Sequence, residues 1–289
     1  MLKLICATAL FGTISLFVKN IALSSGEISL WRAVIAVFVI GAYKLIKREK
    51  LPFSKIKGDA LPLVLSGIAI GFNWILLFEA YKYTSVSVAT LSYYFAPSIV
   101  MALCPLLFKE RSTLVQWLCF GAATLGLVFI IGARGGGQKT EIFGICLGLS
   151  AACLYAFVII MNKRIKTVSG SDKTLFQFFA AIAVLAIYVP LTSGIHVFEL
   201  DTKGLLCLLV LGALHTGAGY CMYFSAVSRL SGQKVALFSY VDPLVAVLVS
   251  VAFLHETVTW VQLFGGALII GFSVINEVSS RRKAPAKIK

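Results

Sequence analysis

Apolar runs of roughly 18–23 residues recur from one end of this chain to the other, each long enough to cross a hydrocarbon core about 30 Å thick. Inside hydrocarbon every backbone amide must be bonded within the protein, so such runs fold as helices, and the alternating pattern of a membrane barrel is absent. Ten spans are expected, at about 2–22, 28–46, 61–81, 86–108, 114–133, 141–161, 173–193, 204–226, 235–254 and 259–277. Composition agrees: the 289 residues are 59% hydrophobic and 13% charged, where a soluble domain is near half apolar and a quarter charged. The expectation is an all-α, polytopic membrane protein with short loops.

The net charge of +14 is a signal of topology, not of nucleic-acid binding, because the basic residues sit in the short loops. With the N-terminus inside, twenty of the 26 Lys and Arg fall on cytoplasmic segments. Lys19, Arg32, Lys82, Arg134, Lys139 and Lys203 lie outside or near the outer face. Both termini are therefore expected in the cytoplasm, with the chain in the cell membrane. Seven cysteines, all inside apolar runs and without a C-x-x-C, are read as small packing residues rather than disulfides or a zinc site. Residues 1–22 are too long in their apolar part, and interrupted by Thr13 and Ser15, to read as a cleaved signal peptide.

The chain also writes one stretch twice. Shifted by 146, residues 67–121 fall on 213–267 without a gap, and eleven of 55 positions are identical. Among them are Tyr94/Tyr240, Pro97/Pro243, Glu110/Glu256 and a T-x-V-Q at Thr113 and Thr259. Earlier residues pair more weakly at a shift of 145, as Glu27/Asp172, Ala36/Ala181 and Tyr43/Tyr188. Helices 3–5 thus match helices 8–10, and the period is five. Five is odd, so the second copy enters the membrane from the opposite side, giving a 5+5 inverted repeat. Such repeats place a substrate site near the midplane and alternate its access by rocking the halves. The halves divide as 1–136 and 137–280, followed by a basic cytoplasmic tail, 281–289.

On Trp31-Arg32, the two segments running from Tyr94 and Pro97 to Glu110 and from Tyr240, Asp242 and Pro243 to Glu256, and the glycine-rich last helix (Gly265, Gly266, Gly271), the chain resembles the EamA-type members of the drug/metabolite transporter superfamily over its whole length. The resemblance implies a secondary transporter, often an exporter of amino acids or other small metabolites. It also implies a central cavity lined mainly by helices 1, 3, 4, 6, 8 and 9. Outward direction and drive by a proton gradient or by the solute's own gradient follow from the resemblance too. The runner-up is an exporter of drugs or quaternary-ammonium cations, since Asp242 and aromatic residues suit a cation.

Several residues are candidates for the site. Asp242 puts a carboxylate about a third of the way into helix 9, where it costs roughly 2.5–3.5 kcal/mol. It is read either as a proton, cation or amine site or as the partner of a nearby Tyr or Lys. His215 stands mid-helix 8 beside Gly217, Gly219 and Tyr220, and is read as a cavity wall or as a bond to a neighbouring helix. Asn73 and Trp74 in helix 3 suit substrate contact or interhelical bonding; Tyr94 and Tyr240, before each proline, suit stacking on a substrate or packing. Pro97 and Pro243 each remove a backbone bond from a helix. Arg32 and Glu79, near the outer ends of their spans, are expected as an ion pair or as side chains snorkelling to the interface, with substrate binding as the alternative. Glu110 and Glu256 are expected to cap free amides at the N-termini of helices 5 and 10.

Other classes lack their residues. A membrane enzyme needs a cluster of ligands or a nucleophile with its base, and His196, His215 and His255 are scattered. A channel needs a filter or a ring of charge. The Arg134–Gly137 loop lacks the phosphate-loop spacing. No cofactor and no metal is implied; the expected partners are a small-molecule solute, the lipid bilayer and protons as coupling ion, with one chain sufficient.

Overall fold

The computed structural model of the chain describes residues 2–49, 56, 58–108, 113–132, 139–168, 170–227 and 241–282. Among these the elements are helices and no strand occurs. In order they are α1 (Leu2–Gly12), α2 (Ile14–Val18), α3 (Ser25–Ile46), α4 (Ala60–Tyr83), α5 (Val86–Tyr93), α6 (Ala96–Phe108), α7 (Leu114–Gly132), α8 (Lys139–Arg164) and α9 (Gly170–Thr192). After a short turn at Val197–Glu199 come α10 (Thr202–Val210), a π-helical segment (Leu211–Ala218), α11 (Gly219–Val227), α12 (Val241–Ala252) and α13 (Trp260–Arg282). By length and apolarity, five helices among the described residues suffice on their own to cross a membrane: Ser25–Ile46, Ala60–Tyr83, Thr140–Arg164, Gly170–Thr192 and Thr202–Tyr223. Leu2–Val18, Val86–Val100, Trp117–Phe129, Val241–Ala252 and Trp260–Ile275 are shorter apolar helices.

Large apolar side chains cover the outside of the bundle as well as filling its core. Phe38, Leu191, Phe253 and Trp260 face outward, while Arg32, Asn73, Gln177 and His215 are buried. That is the arrangement that suits a lipid surround.

Three expected spans depart from a plain helix. The first breaks at Thr13, between α1 and α2. The fourth breaks at Tyr94–Phe95 because Pro97 offers no N–H to the carbonyl of Tyr93 and its ring crowds that turn. Pro97 therefore lies in the first turn of α6, where the missing donor has no cost. The eighth is wound one residue wider over Leu211–Ala218; its side chains follow the wider turn, Thr216 Oγ1 donating to the carbonyl of Leu211 at 2.8 Å.

Helix contacts come in couples that exchange when each helix is advanced five places in the expected order. α4 packs on α8 as α1 packs on α11; α4 on α9 as α3 on the π segment; α6 on α8 as α12 on α1. The contacts of α3 with α9, of α5 with α12 and of α7 with α13 map onto themselves. Small residues allow the close crossings. A Cβ at Gly67 would strike the carbonyl oxygen of Gln177 and lie 2.7 Å from the Cβ of Ala180, and one at Gly212 would lie 2.6 Å from the Cβ of Ile35.

Candidate functional site

Six helices (α3, α4, α5, α8, α11 and α12) bring charge and aromatic rings together in the interior. Arg32 on α3 is 2% exposed. Its guanidinium carbon sits 4.2 Å from the ring centroid of Trp74 and 5.2 Å from that of Phe78, both on α4. Its Nε donates to Thr216 Oγ1 of the π segment at 3.0 Å. Across the interior, Asp242 on α12 accepts from the hydroxyl of Tyr94 at 2.5 Å. Tyr93 continues the aromatic lining, with ring centroids 5.7 Å from Tyr94 and 5.4 Å from Tyr155. Tyr81, Tyr93 and Tyr220 lie within electrostatic reach of both Arg32 and Asp242. Gly12 allows α1 to approach this point, since a Cβ there would stand 2.6 Å from the backbone oxygen of Asp242. Pro243 follows in the first turn of the described helix.

The remaining candidates are engaged in other ways. Asn73 Nδ2 donates to the carbonyl of Ala151 on α8 at 2.6 Å, the interhelical bond that was one of its two readings. Tyr220 packs against Phe11 and Phe178, with centroids 5.3 and 5.4 Å away. His215 is fully buried, with Nδ1 3.2 Å from the carbonyl of Val210 and Nε2 2.9 Å from Thr13 Oγ1. A carbonyl only accepts, so Nδ1 carries a proton; Thr13 has one hydroxyl proton and two acceptors within reach, Nε2 and the carbonyl of Leu10 at 2.8 Å. Phe17 covers the ring at 4.7 Å. His215 is thus a strut between the π segment and the first helices rather than a cavity wall. Tyr240 and Glu110 lie outside the described residues.

Two expectations are corrected. Arg32 and Glu79 do not pair: Glu79 accepts from Lys82 at 2.9 Å and from Ser25 Oγ at 2.6 Å. Lys82 stands one turn along the same helix, whereas Arg32 points inward onto Trp74. Glu256 caps a different helix from the one expected. It accepts from the amides of Val86 and Ser87 at the start of α5, at 3.0 and 3.4 Å, and from Lys19 at 2.8 Å. The start of α13 has no need of it, because the repeated T-x-V-Q forms a reciprocal capping box there. Thr259 N donates to Gln262 Oε1 at 3.0 Å, and Gln262 N to Thr259 Oγ1 at 3.2 Å.

Thr216, Phe78, Tyr81 and Tyr93 belong to the site and were not singled out from the sequence. Tyr93 had a signal in its neighbour Tyr94; the others become visible only when α3, α4 and the π segment are packed together. Near the Glu256 end, a cavity of about 300 Å³ is lined by Lys19, Ser25, Ile28, Phe78, Tyr81 and Lys82.

Buried charge, stacked aromatics and two broken helices in an apolar bundle are features of a membrane carrier, and sequence comparison gives the class. Residues 1–132 and 142–276 match the EamA-like transporter family model, and the chain belongs to that family. An uncharacterized transporter of Bacillus subtilis, YxxF, is 26% identical over 92% of this chain and 87% of its own. A probable amino-acid metabolite efflux pump of Salmonella typhimurium is 28% identical over 84% of this chain and 83% of its own. One solved crystal structure shares the fold at a TM-score of 0.68 and 21% identity, covering 97% of this chain and 98% of that one. The protein is a multi-pass membrane protein of a transporter family.

Proposed function

We propose that this chain is a secondary active transporter that exports a small metabolite such as an amino acid by alternating access. The observation that carries the proposal is the bond between Tyr94 and Asp242. It joins a helix of the first half to a helix of the second, with the carboxylate in the bundle interior. The coupled helix contacts support ten spans arranged as an inverted 5+5 repeat around that seam. In this reading the chain sits in the cell membrane with both termini cytoplasmic, and one copy suffices.

A charge-assisted bond to a carboxylate is among the stronger hydrogen bonds, and protonating Asp242 removes the charge. Proton arrival would therefore loosen the clasp between the fourth and ninth spans and let the halves rock. Reconstituted protein is expected to show saturable flux and counter-exchange. Asp242→Asn should lower exchange at least about tenfold, equivalent to about 1.4 kcal/mol, and flatten its pH dependence. Exchange at the normal rate with unchanged pH dependence would remove Asp242 from the mechanism.

The second reading, an exporter of drugs or quaternary-ammonium cations, is favoured by the Tyr93, Tyr94 and Tyr155 rings beside Asp242, a setting suited to a cation. Competition between labelled amino acids and lipophilic cations separates the two.

A further inference from the structure

Arg32 is almost completely buried, yet among the described residues no carboxylate lies within ion-pair distance of it. A buried charge that is neither paired nor bonded is costly. Arginine carries five N–H donors in a rigid planar fork, and Thr216 takes the one on Nε. The terminal nitrogens meet no acceptor among the described residues. Neither is one of the sealed, unpartnered polar atoms of the interior. Trp74 and Phe78 occupy the guanidinium's surroundings as a ring platform, and Thr216 is itself anchored to the carbonyl of Leu211. The orientation of the group is therefore fixed while its outer edge stays unused. The cavity lined by Ile28, Phe78 and Tyr81 approaches this point: Phe78 borders both, and Ile28 lies one turn from Arg32 on α3.

We propose that Arg32 anchors a carboxylate of the transported solute, gripping it through both terminal nitrogens, while Asp242 receives the solute's ammonium. The proposal rests on the transporter reading above and names the chemistry of its substrate as a zwitterionic α-amino acid. A guanidinium edge matches a carboxylate with two parallel hydrogen bonds. A zwitterion satisfies both buried charges without adding net charge to the bundle. An amine without a carboxylate leaves the Arg32 fork unpaired, and a site built for a group discriminates strongly against its absence.

The test is counter-exchange in proteoliposomes, with each of the twenty amino acids as labelled solute. Competitors are the corresponding amino-acid amides, the decarboxylated amines and inorganic phosphate. Amides and amines are expected to compete at least about tenfold more weakly than the acids in the wild type. Arg32→Gln should raise half-saturation for the acids about 10- to 100-fold and leave that for the amides within about twofold. Arg32→Lys retains the charge, loses the fork and should weaken the acids about tenfold. It is the deciding variant should Arg32→Gln not fold, as judged by elution profile and helical circular dichroism. Equal competition by acids and amides, or unchanged half-saturation for acids in a folded variant, would overturn the anchor and leave the transporter reading standing. Stronger competition by phosphate than by any acid would overturn it likewise. Failure of the wild type to exchange any amino acid would remove the amino-acid reading itself, and the anchor with it.

Discussion

Arg32 and Gln177 fall on one another under the same 145-residue shift that pairs Glu27 with Asp172, and the two positions have been completed differently. Gln177 is buried, and its Nε2 donates to Ser66 Oγ at 2.8 Å and to Asn162 Oδ1 at 2.9 Å. Both donors of that amide nitrogen are satisfied by neighbouring helices. Arg32 is equally buried but, among the described residues, gives only Nε to a neighbour. One half of the chain has closed its polar position into a structural knot; the other keeps a cation with an unused edge. A repeated scaffold can hold two equivalent positions alike, and function is to be sought where they stop matching. The same lesson separates α4 from its counterpart. The first is regular through Asn73 and Trp74, whereas the second is wound as a π segment that presents Thr216 to Arg32. Extra residues of this kind recur at functional sites.

The comparison can be strained at several points. The largest effect is expected where packing is alike in both halves. Gly67→Val would drive a side chain into the backbone of Gln177, and Gly212→Val into Ile35. Each should cost about 3 kcal/mol, the upper part of the overpacking range, read as a fall in melting temperature in detergent. Wild-type melting of either variant would mean that the close crossing is absent. Next, Gln177→Ala should destabilise by about 1–2 kcal/mol through the polar groups it orphans while leaving half-saturation for amino acids unchanged. A marked change in half-saturation would make Gln177 part of the site and erase its contrast with Arg32.

A smaller effect is expected at the Glu256 end. Glu256→Gln loses the pair with Lys19 and weakens the cap on α5, for a cost of about 0.5–1 kcal/mol in the same melting assay. At the opposite end, Asp59 accepts from the Thr167 hydroxyl and from the amides of Thr167 and Lys166 at 2.6–2.7 Å. The Thr167 hydroxyl foremost, then those amides, holds its carboxyl below the ordinary aspartate range. A depressed folded pKa contributes stability that is present above the unfolded value, about 4, and lost as pH falls through the folded one. Melting of the wild type should therefore worsen on acidification below about pH 4, with less of that acid dependence in Asp59→Asn. Identical acid profiles would contradict the clasp.

Much of the frame was legible in the chain. Apolar length gave helices, and Pro97 marked where one of them breaks. The paired Tyr94, Pro97 and T-x-V-Q segments are read as equivalent places in two halves, the division on which the proposed function rests. Partner choice was not legible. Arg32 and Glu79 looked like a pair because both are charges near span ends, but a ring platform and a hydroxyl claimed one, and a lysine one turn away the other. Glu256 looked like a cap for the helix that follows it. The capping box at Thr259 and Gln262 freed it for α5, and that depends on which helices lie side by side. The π segment has no mark in hydropathy, because one extra residue in a turn leaves an apolar run apolar.

In the proposed reading the two halves thread the bilayer in opposite senses around the Tyr94–Asp242 seam. Single cysteines at positions 110 and 256, in a variant whose seven native cysteines are replaced, test it directly with a membrane-impermeant maleimide. Labelling of 256 from outside the cell and of 110 only from the cytoplasmic side is the expected result. Labelling of both positions from the same side would contradict the antiparallel halves and the carrier mechanism built on them.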